Sequence, residues 1–529
     1  MSVIVSRALD SQTSSPAGPI GVVGLWHLGS VTAACLADAG NQVIGVDRDR
    51  ELVAGLQAGR PPVAEPGLAE LLARHSPRMS FACEPDQLAR ARAAWVTFDT
   101  PVDDEDNADV EWVLAQAAEL LAPLPADSLV VVSSQLPVGS VARLEQRCAA
   151  HSPHASAGAL RFACVPENLR LGQAIACFRA GDRIVAGVRS ERDRSELAEL
   201  LAPFSAHVQW MRVESAEMSK HALNGFLATS VAFINEVAEI CESVGADAEE
   251  VARALKSEQR IGPRAYLGPG DAFAGGTLAR DISFLRALAG RRGLPDHVFA
   301  GVADGNAAHK QWTRRKLLEL LGDGDGDGDD HGDADGDGDD HGDADGDGDR
   351  GGSPGDGGAD GPHVGALAGR QVAVWGLTYK PGTDTLRRSS AVELCRWLAR
   401  AGAGVRAHDP AVAALPAELA EAIELCPTPL AALAGAQALI VCTAWPDYLE
   451  IDPQAAVAAL SAPALVLDPA GALRELFAGC SGVSYVRVGA APQIRVRRLT
   501  LDRVHEAAAG VHVGSAPAEG EGEGEGEPA

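Results

Sequence analysis

PIGVVGLWHLG at residues 19–29 and NQVIGVD at residues 41–47 decide the fold of this 529-residue chain. The first stretch is an apolar strand running into a glycine turn, and the residues after it read as a helix. The second is another apolar strand, ending in an acid, Asp47, eighteen residues beyond Gly29. In a dinucleotide-binding turn the first glycine, here Gly24, makes the tight bend, and the last, Gly29, lets helix and strand pack closely. The helix N-terminus then faces a pyrophosphate, and the acid takes the ribose hydroxyls. An acid at that place favours NAD over NADP, because it would repel a 2′-phosphate. Trp26 stands where such turns usually carry a middle glycine, so a purely structural glycine turn is the competing reading.

Working outward, apolar runs at 94–98, 129–133 and 162–165 alternate with Ala/Leu/Glu-rich helical stretches. That alternation predicts a parallel sheet covered on both faces. From 214 to 244 the pattern changes to one long proline-free helix, with Met218, Ala222, Phe226, Ile234, Val237 and Ile240 among its apolar positions. Helical stretches follow at 281–289 and 309–321. The strand–glycine–helix pattern restarts at 371–375, with strands at 405–408, 438–442 and 465–468. The expected fold class is therefore α/β, with two Rossmann-like parallel-sheet domains joined by a central helical domain.

The formal charge of −28 is concentrated outside these elements. Residues 322–362 hold sixteen Asp against one Arg, and residues 514–529 hold five Glu and no base. What remains is a mildly acidic body of ordinary size for about three domains. Neither body nor appendages are basic, which excludes a nucleic-acid binder steered by net charge. The Asp/Gly block repeats every ten residues (GDADGDGDDH) but fails the EF-hand phase: with Asp323 first, the twelfth position is Ala334. It reads as a disordered, solvated insertion, with a cation sink as the weaker alternative. Deleting it is expected to leave cofactor binding and turnover nearly unchanged. No run of about eighteen apolar residues occurs, so no membrane span is expected. The ten scattered Cys, without a CxxC pair, read as reduced thiols of a cytoplasmic protein.

Beyond the first turn, ordered motifs accumulate. They include Glu65-Pro66-Gly67, Thr100-Pro101, residues 134–140 (SQLPVGS), residues 166–170 (PENLR), and Glu217, Lys220, Asn224, Asn235 and Glu236 on the long helix. Arg260-Ile261-Gly262, Gly376, Lys380, Thr383, Asp384, Arg387, Asp409-Pro410, Thr443 and Trp445 continue the series. Together they resemble the UDP-glucose/GDP-mannose dehydrogenase family from about Ile20 to Ala490, with only the Asp/Gly block unmatched. The resemblance implies an NAD-dependent oxidoreductase acting on C6 of a nucleotide-linked hexose, most simply a UDP-hexose, in a homodimer built on the central helix. It implies cofactor contacts from Gly24, Trp26, His27, Leu28, Gly29, Asp47, Thr100 and Ser134. It places substrate contacts at Glu167, Leu169, Arg170, Lys220, Asn224, Arg260, Gly275 and Lys380, Arg260 reaching the neighbouring subunit's site. The expected domains are a leader (1–18), an NAD-binding domain (19–212), a central dimerisation and catalytic domain (213–321), the insertion (322–362), a nucleotide-sugar-binding domain (363–513) and a Glu/Gly tail (514–529).

The family completes its oxidation through a Cys thiolate in a GFGGxCxxKD loop. The corresponding residues 272–281 read AFAGGTLARD, which puts Thr277 in the Cys position, Arg280 in the Lys position and keeps Asp281. A thiol with pKa about 8.5 supplies some thiolate at neutral pH, whereas a Thr hydroxyl supplies essentially none. By resemblance, Lys220 and Asn224 stabilise oxyanion charge, Asp281 positions or activates a water, and Glu167 takes part in proton transfer. Three readings stay open: one oxidation ending at the aldehyde, a full four-electron oxidation through a hydrate or a Thr-linked intermediate, and a silent nucleotide-sugar binder. Gln135 where the family has Thr, Leu171 in place of an acid, and Asp468-Pro469-Ala470 where the family commonly has Asp-Gly-Arg add to these departures.

Overall fold

The computed structural model describes residues 18–101, 108–151, 159–167, 169–170, 172–181, 183–274, 277–322, 365–387 and 389–490. The leader, the Asp/Gly insertion after Gly322, the Glu/Gly tail and Gly275 lie outside the described residues.

Eight strands form the first sheet: Ile20–Val23 (β1), Val43–Val46 (β2), Met79–Ala82 (β3), Ala93–Val96 (β4), Leu129–Val132 (β5), Arg161–Cys164 (β6), Ile184–Gly187 (β7) and Val208–Met211 (β8). Their order is β3-β2-β1-β4-β5-β6-β7-β8. Leu129 and Val131 pack into the core on one face, and Val130 and Val132 into the core on the other. Such two-sided burial is why these strands read as unbroken apolar runs. The first six strands are parallel, and the strand order reverses between β1 and β4, which opens a crevice at their carboxyl ends. One departure from the expected all-parallel sheet is the β6–β7 pair, antiparallel through Cys164 and Gly187. Strands β3 and β8 are largely half-buried and only four residues long, and carry too short an alternation to stand out in the sequence.

Six strands form the second sheet: Gln371–Trp375 (β9), Gly404–His408 (β10), Glu424–Leu425 (β11), Ala438–Val441 (β12), Leu465–Leu467 (β13) and Ser484–Val486 (β14). The order β11-β10-β9-β12-β13-β14 is parallel throughout. The two sheets share one device at the switch. Asp47 after β2 accepts the Leu25 N–H at 2.7 Å, and Asp409 after β10 accepts those of Leu377 and Thr378 at 2.7 and 2.9 Å. In each case the acid fixes the turn that follows a glycine at positive φ, Gly24 at 88° or Gly376 at 86°.

Between the sheets runs the helix Val213–Val244, which leaves β8 after a single residue. Gly187 on β7 allows this approach, since a Cβ there would lie 2.7 Å from the Val213 Cα. The sequence predicts two shorter helices after it, whereas four are present: Ala248–Ser257, Leu278–Arg291, His297–His309 and Trp312–Leu321. The far end of the long helix joins the second sheet's core, where Ala238, Cys241 and Trp312 pack with Val372 and Ile440. Buried Arg487 clamps this junction, bonding Asp247 at 2.6 Å.

Candidate functional site

The glycine turn is built for close approach. A Cβ on Gly29 would sit 1.8 Å from the Gly24 carbonyl oxygen, and one on Gly24 would sit 2.8 Å from the Phe98 ring. Trp26 has φ −66° and ψ −145°, and its side chain turns outward at 52% exposed. Its φ is negative, so the turn does not call for glycine's left-handed freedom at this position. The helix His27–Asp38 starts without a side-chain cap, so its first N–H groups face the crevice. Asp47 lies at the end of β2 in the position expected for a ribose acid. These residues fit NAD.

Asp99, not singled out from the sequence, enters the same crevice. Its carboxyl lies near the Leu28 N–H at the helix N-terminus and near the charged groups of His27, Arg280 and Glu167. The residue as a whole is exposed along the crevice mouth, but the surrounding walls strip water from the carboxyl and push its pKa up to about 6. An ionised Asp99 competes with a pyrophosphate for that helix end. Asp99→Asn should therefore tighten NAD binding at pH 7.5 by roughly fivefold, about 1 kcal/mol of screened repulsion. The gain should vanish near pH 5, where the native carboxyl is protonated; calorimetric titrations with NAD at the two pH values check both.

His27 lies 3.0 Å from Glu65, which is buried and also accepts the Gly172 and Ala174 N–H groups at 2.8 Å each. Glu65 thus caps the helix Ala174–Arg179. Lys380 of the second sheet domain faces Glu65 across the cleft, and desolvation lowers its pKa against that carboxylate's pull. The two α/β domains share one cleft.

At its floor lies a buried polar stripe of the long helix: Glu217, His221 and Asn224 at i, i+4 and i+7. Glu217 accepts the Gly139 and Val141 N–H groups at 2.8 and 2.9 Å and caps the helix Ser140–His151. Burial nevertheless raises its pKa. Asp281 is fully buried and takes three donors: His221 Nδ1 at 2.7 Å, Gln135 Nε2 at 2.9 Å, and the Asn224 amide. Arg280 bonds the Gln135 carbonyl oxygen, and the Thr100 hydroxyl donates to the Gln135 backbone oxygen at 2.7 Å. Lys220 Nζ stands 3.5 Å from Glu167, whose other oxygen accepts the Leu169 N–H at 2.9 Å. A cavity of about 20 Å³, room for one water, lies among Ser134, Glu167, Lys220 and His221. The buried Ser134 hydroxyl has no hydrogen-bond partner among the described residues.

Thr277 begins the helix Leu278–Arg291 as its N-cap, with no side-chain cap bond, and is exposed at the site's edge. In the described part of the loop before it, Gly270 and Phe273 are held by side chains of the central helices. Asn235 accepts the Gly270 N–H at 3.0 Å, Asn306 bonds both the N–H and the C=O of Phe273 at 2.9 Å, and His309 reaches the Gly270 carbonyl at 2.8 Å. Arg170 is exposed, and Arg260 is exposed and paired with Glu258 at 3.0 Å, so neither joins this cluster within one chain. Asp468 is a structural cap, accepting the Ala472 and Leu473 N–H groups and the Tyr485 hydroxyl. A second crevice, about 100 Å³, separates the central helices from the carboxyl ends of β12 and β13 near Arg314, Cys442 and Pro469.

With that geometry in place, comparison with known proteins is informative. The chain matches the UDP-glucose/GDP-mannose dehydrogenase family's NAD binding domain over residues 19–205, its central domain over 214–308 and its UDP binding domain over 373–475. The chain belongs to the UDP-glucose/GDP-mannose dehydrogenase family. A UDP-glucose 6-dehydrogenase of Pseudomonas aeruginosa is 33% identical over 458 residues, 84% of this chain and 92% of that one. Another, from Haloferax volcanii, is 30% identical over 82% of this chain and 93% of its own length. The solved UDP-glucose dehydrogenase of Pyrobaculum islandicum superposes with TM-score 0.72 at 29% identity, covering 88% of this chain and 97% of that one. This member of the UDP-glucose/GDP-mannose dehydrogenase family is an NAD-dependent oxidoreductase acting on CH–OH groups, with a nucleotide sugar as its class of substrate. No helix among the described residues is long and apolar enough to cross a membrane.

Proposed function

We propose that this enzyme oxidises C6 of a UDP-hexose with NAD and releases the aldehyde after one hydride transfer. The observation that carries the proposal is Thr277 at the head of the helix bearing Asp281; the family resemblance puts this residue in the place of the family loop's Cys. A Thr hydroxyl supplies no anion at neutral pH, so the thioester route to the acid has no nucleophile. Among the described residues Cys164 is the thiol lining the floor of the cleft; it is buried, and burial holds its pKa well above the usual thiol range.

When bound, NAD supplies the acceptor for the C6 hydride. The chain's part is to hold and discharge the C6 oxygen. Lys220 and Asn224, one helical turn apart, converge on that oxygen as donors. Glu167, paired with Lys220, accepts the hydroxyl proton. Glu167, Leu169 and Lys380 line the sugar-nucleotide side. The names of the Pseudomonas and Haloferax relatives support UDP-glucose as the first substrate to try. NADH formation with UDP-glucose, and none with UDP alone, supports the proposal; no NADH with any UDP- or GDP-hexose sinks it.

The long helix also presents Leu223, Phe226, Phe233, Ile240 and Val244 to solvent, at steps of three, seven, seven and four residues. That spacing is an a/d seam continuing for three heptads, the pattern of two helices packed together. It supports a homodimer through this helix, with Arg260 turned toward the neighbouring subunit. Phe233→Glu should shift the chain to monomer in sedimentation velocity; an unchanged sedimentation coefficient contradicts the seam.

A further inference from the structure

We propose that His221 is a protonated positioning residue that neutralises Asp281 and so lets Lys220 set the charge met by the C6 oxygen. The inference rests on the reading above that the Lys220 cluster oxidises a nucleotide sugar. It starts from the two ring nitrogens. Nδ1 lies 2.7 Å from Asp281 Oδ1 and Nε2 lies 2.9 Å from the Leu136 carbonyl oxygen. A carbonyl only accepts, and so does an ionised carboxylate, whereas a neutral imidazole offers one N–H and one lone pair. The neutral ring would point its lone pair at one of these oxygens, with His221 only 2% exposed.

Moving the proton onto Asp281 would not resolve the conflict. The Asn224 amide and Gln135 Nε2 both donate to that carboxylate, and donors to the charged form favour it. Gln135 cannot be turned over to accept instead, because Arg280 donates to its oxygen and a guanidinium has only donors. The donors along the chain Arg280–Gln135–Asp281–His221–Leu136 therefore favour imidazolium against carboxylate.

Among the described residues, the following charged groups surround the ring. From its own helix come Glu217, capping a helix end, and Lys220, turned to Glu167 of the loop after β6. The helix Leu278–Arg291 contributes Asp281, Arg280 through Gln135, and the edge of Phe284 at 5.5 Å between ring centroids. Strand β6 contributes Cys164, uncharged because burial raises its thiol. If the ring loses its proton, Asp281 stands as an uncompensated anion beside the place where an alkoxide forms, and oxidation slows.

The test uses the full chain labelled with ¹⁵N-histidine, with His221→Asn identifying the His221 signals. Both ring nitrogens should show protonated shifts at pH 7. As rising pH removes the ring's second proton, wild-type kcat should fall about tenfold with the KM for NAD unchanged. His221→Asn, which keeps a donor toward Asp281 but cannot titrate, should have a flat profile. A bare ring nitrogen at pH 7, or matching pH profiles in the two proteins, overturns the proposal. The nitrogen shifts decide the charge without turnover, so a chain inactive on every nucleotide sugar defeats the functional reading and leaves this result standing or falling separately. If His221→Asn fails to fold, His221→Gln, with its donor toward Leu136, assigns the signal in its place.

Discussion

Lys220→Ala lowers kcat by about 10²–10³, the usual loss when one charged or hydrogen-bonding donor to a developing oxyanion is removed. The position of Lys220 is the reason. It extends from a buried helix face, one turn before Asn224 and 3.5 Å from Glu167, beside a cavity that also meets Ser134. The oxygen gains negative charge as Glu167 takes its proton, and it keeps part of that charge until hydride departure completes the carbonyl. That makes the interaction worth more on the way to and in the transition state than in the bound alcohol. The KM for the nucleotide sugar should therefore change less than about tenfold. Steady-state kinetics on Lys220→Ala and Lys220→Arg separate the cases. A loss confined to KM would make Lys220 a binding residue, and a kcat within a few-fold of wild type would remove it from the mechanism.

Gly29→Ala should weaken NAD binding more than about tenfold and lower stability by about 1–3 kcal/mol. The added Cβ would fall 1.8 Å from the Gly24 oxygen and 2.9 Å from Thr97 Oγ1, both parts of the turn that presents the helix end. No flexible side-chain tip can move aside, so the helix must lift off β1 and take its N–H groups out of line. Fluorescence titration with NAD and urea unfolding measure the two effects. Wild-type affinity in this variant would show that the turn does not cradle the cofactor.

Much of this was legible beforehand, for identifiable reasons. Strands buried on both faces announce themselves as apolar runs, and the Gly24–Gly29 turn with Asp47 carries its own geometry. Lys220, Asn224 and Asp281 were found through the family pattern and do converge in space. Asp99, Asn306 and His309 were not found, because their roles depend on which loop the fold brings opposite them. His221 left a weak trace, as a polar residue in line with Glu217 and Asn224 at helical spacing. Its bond to Asp281 spans 60 positions and joins two separate helices, which no local pattern encodes. Trp26, in place of the usual middle glycine, sits at a negative φ and turns its ring outward.

The central claim is that Thr277 ends the reaction after one hydride, and the ratio of NADH formed to nucleotide sugar consumed tests it most directly. One NADH per sugar, rising to two in Thr277→Cys, is the predicted result. Two NADH per sugar in the wild-type enzyme would contradict it.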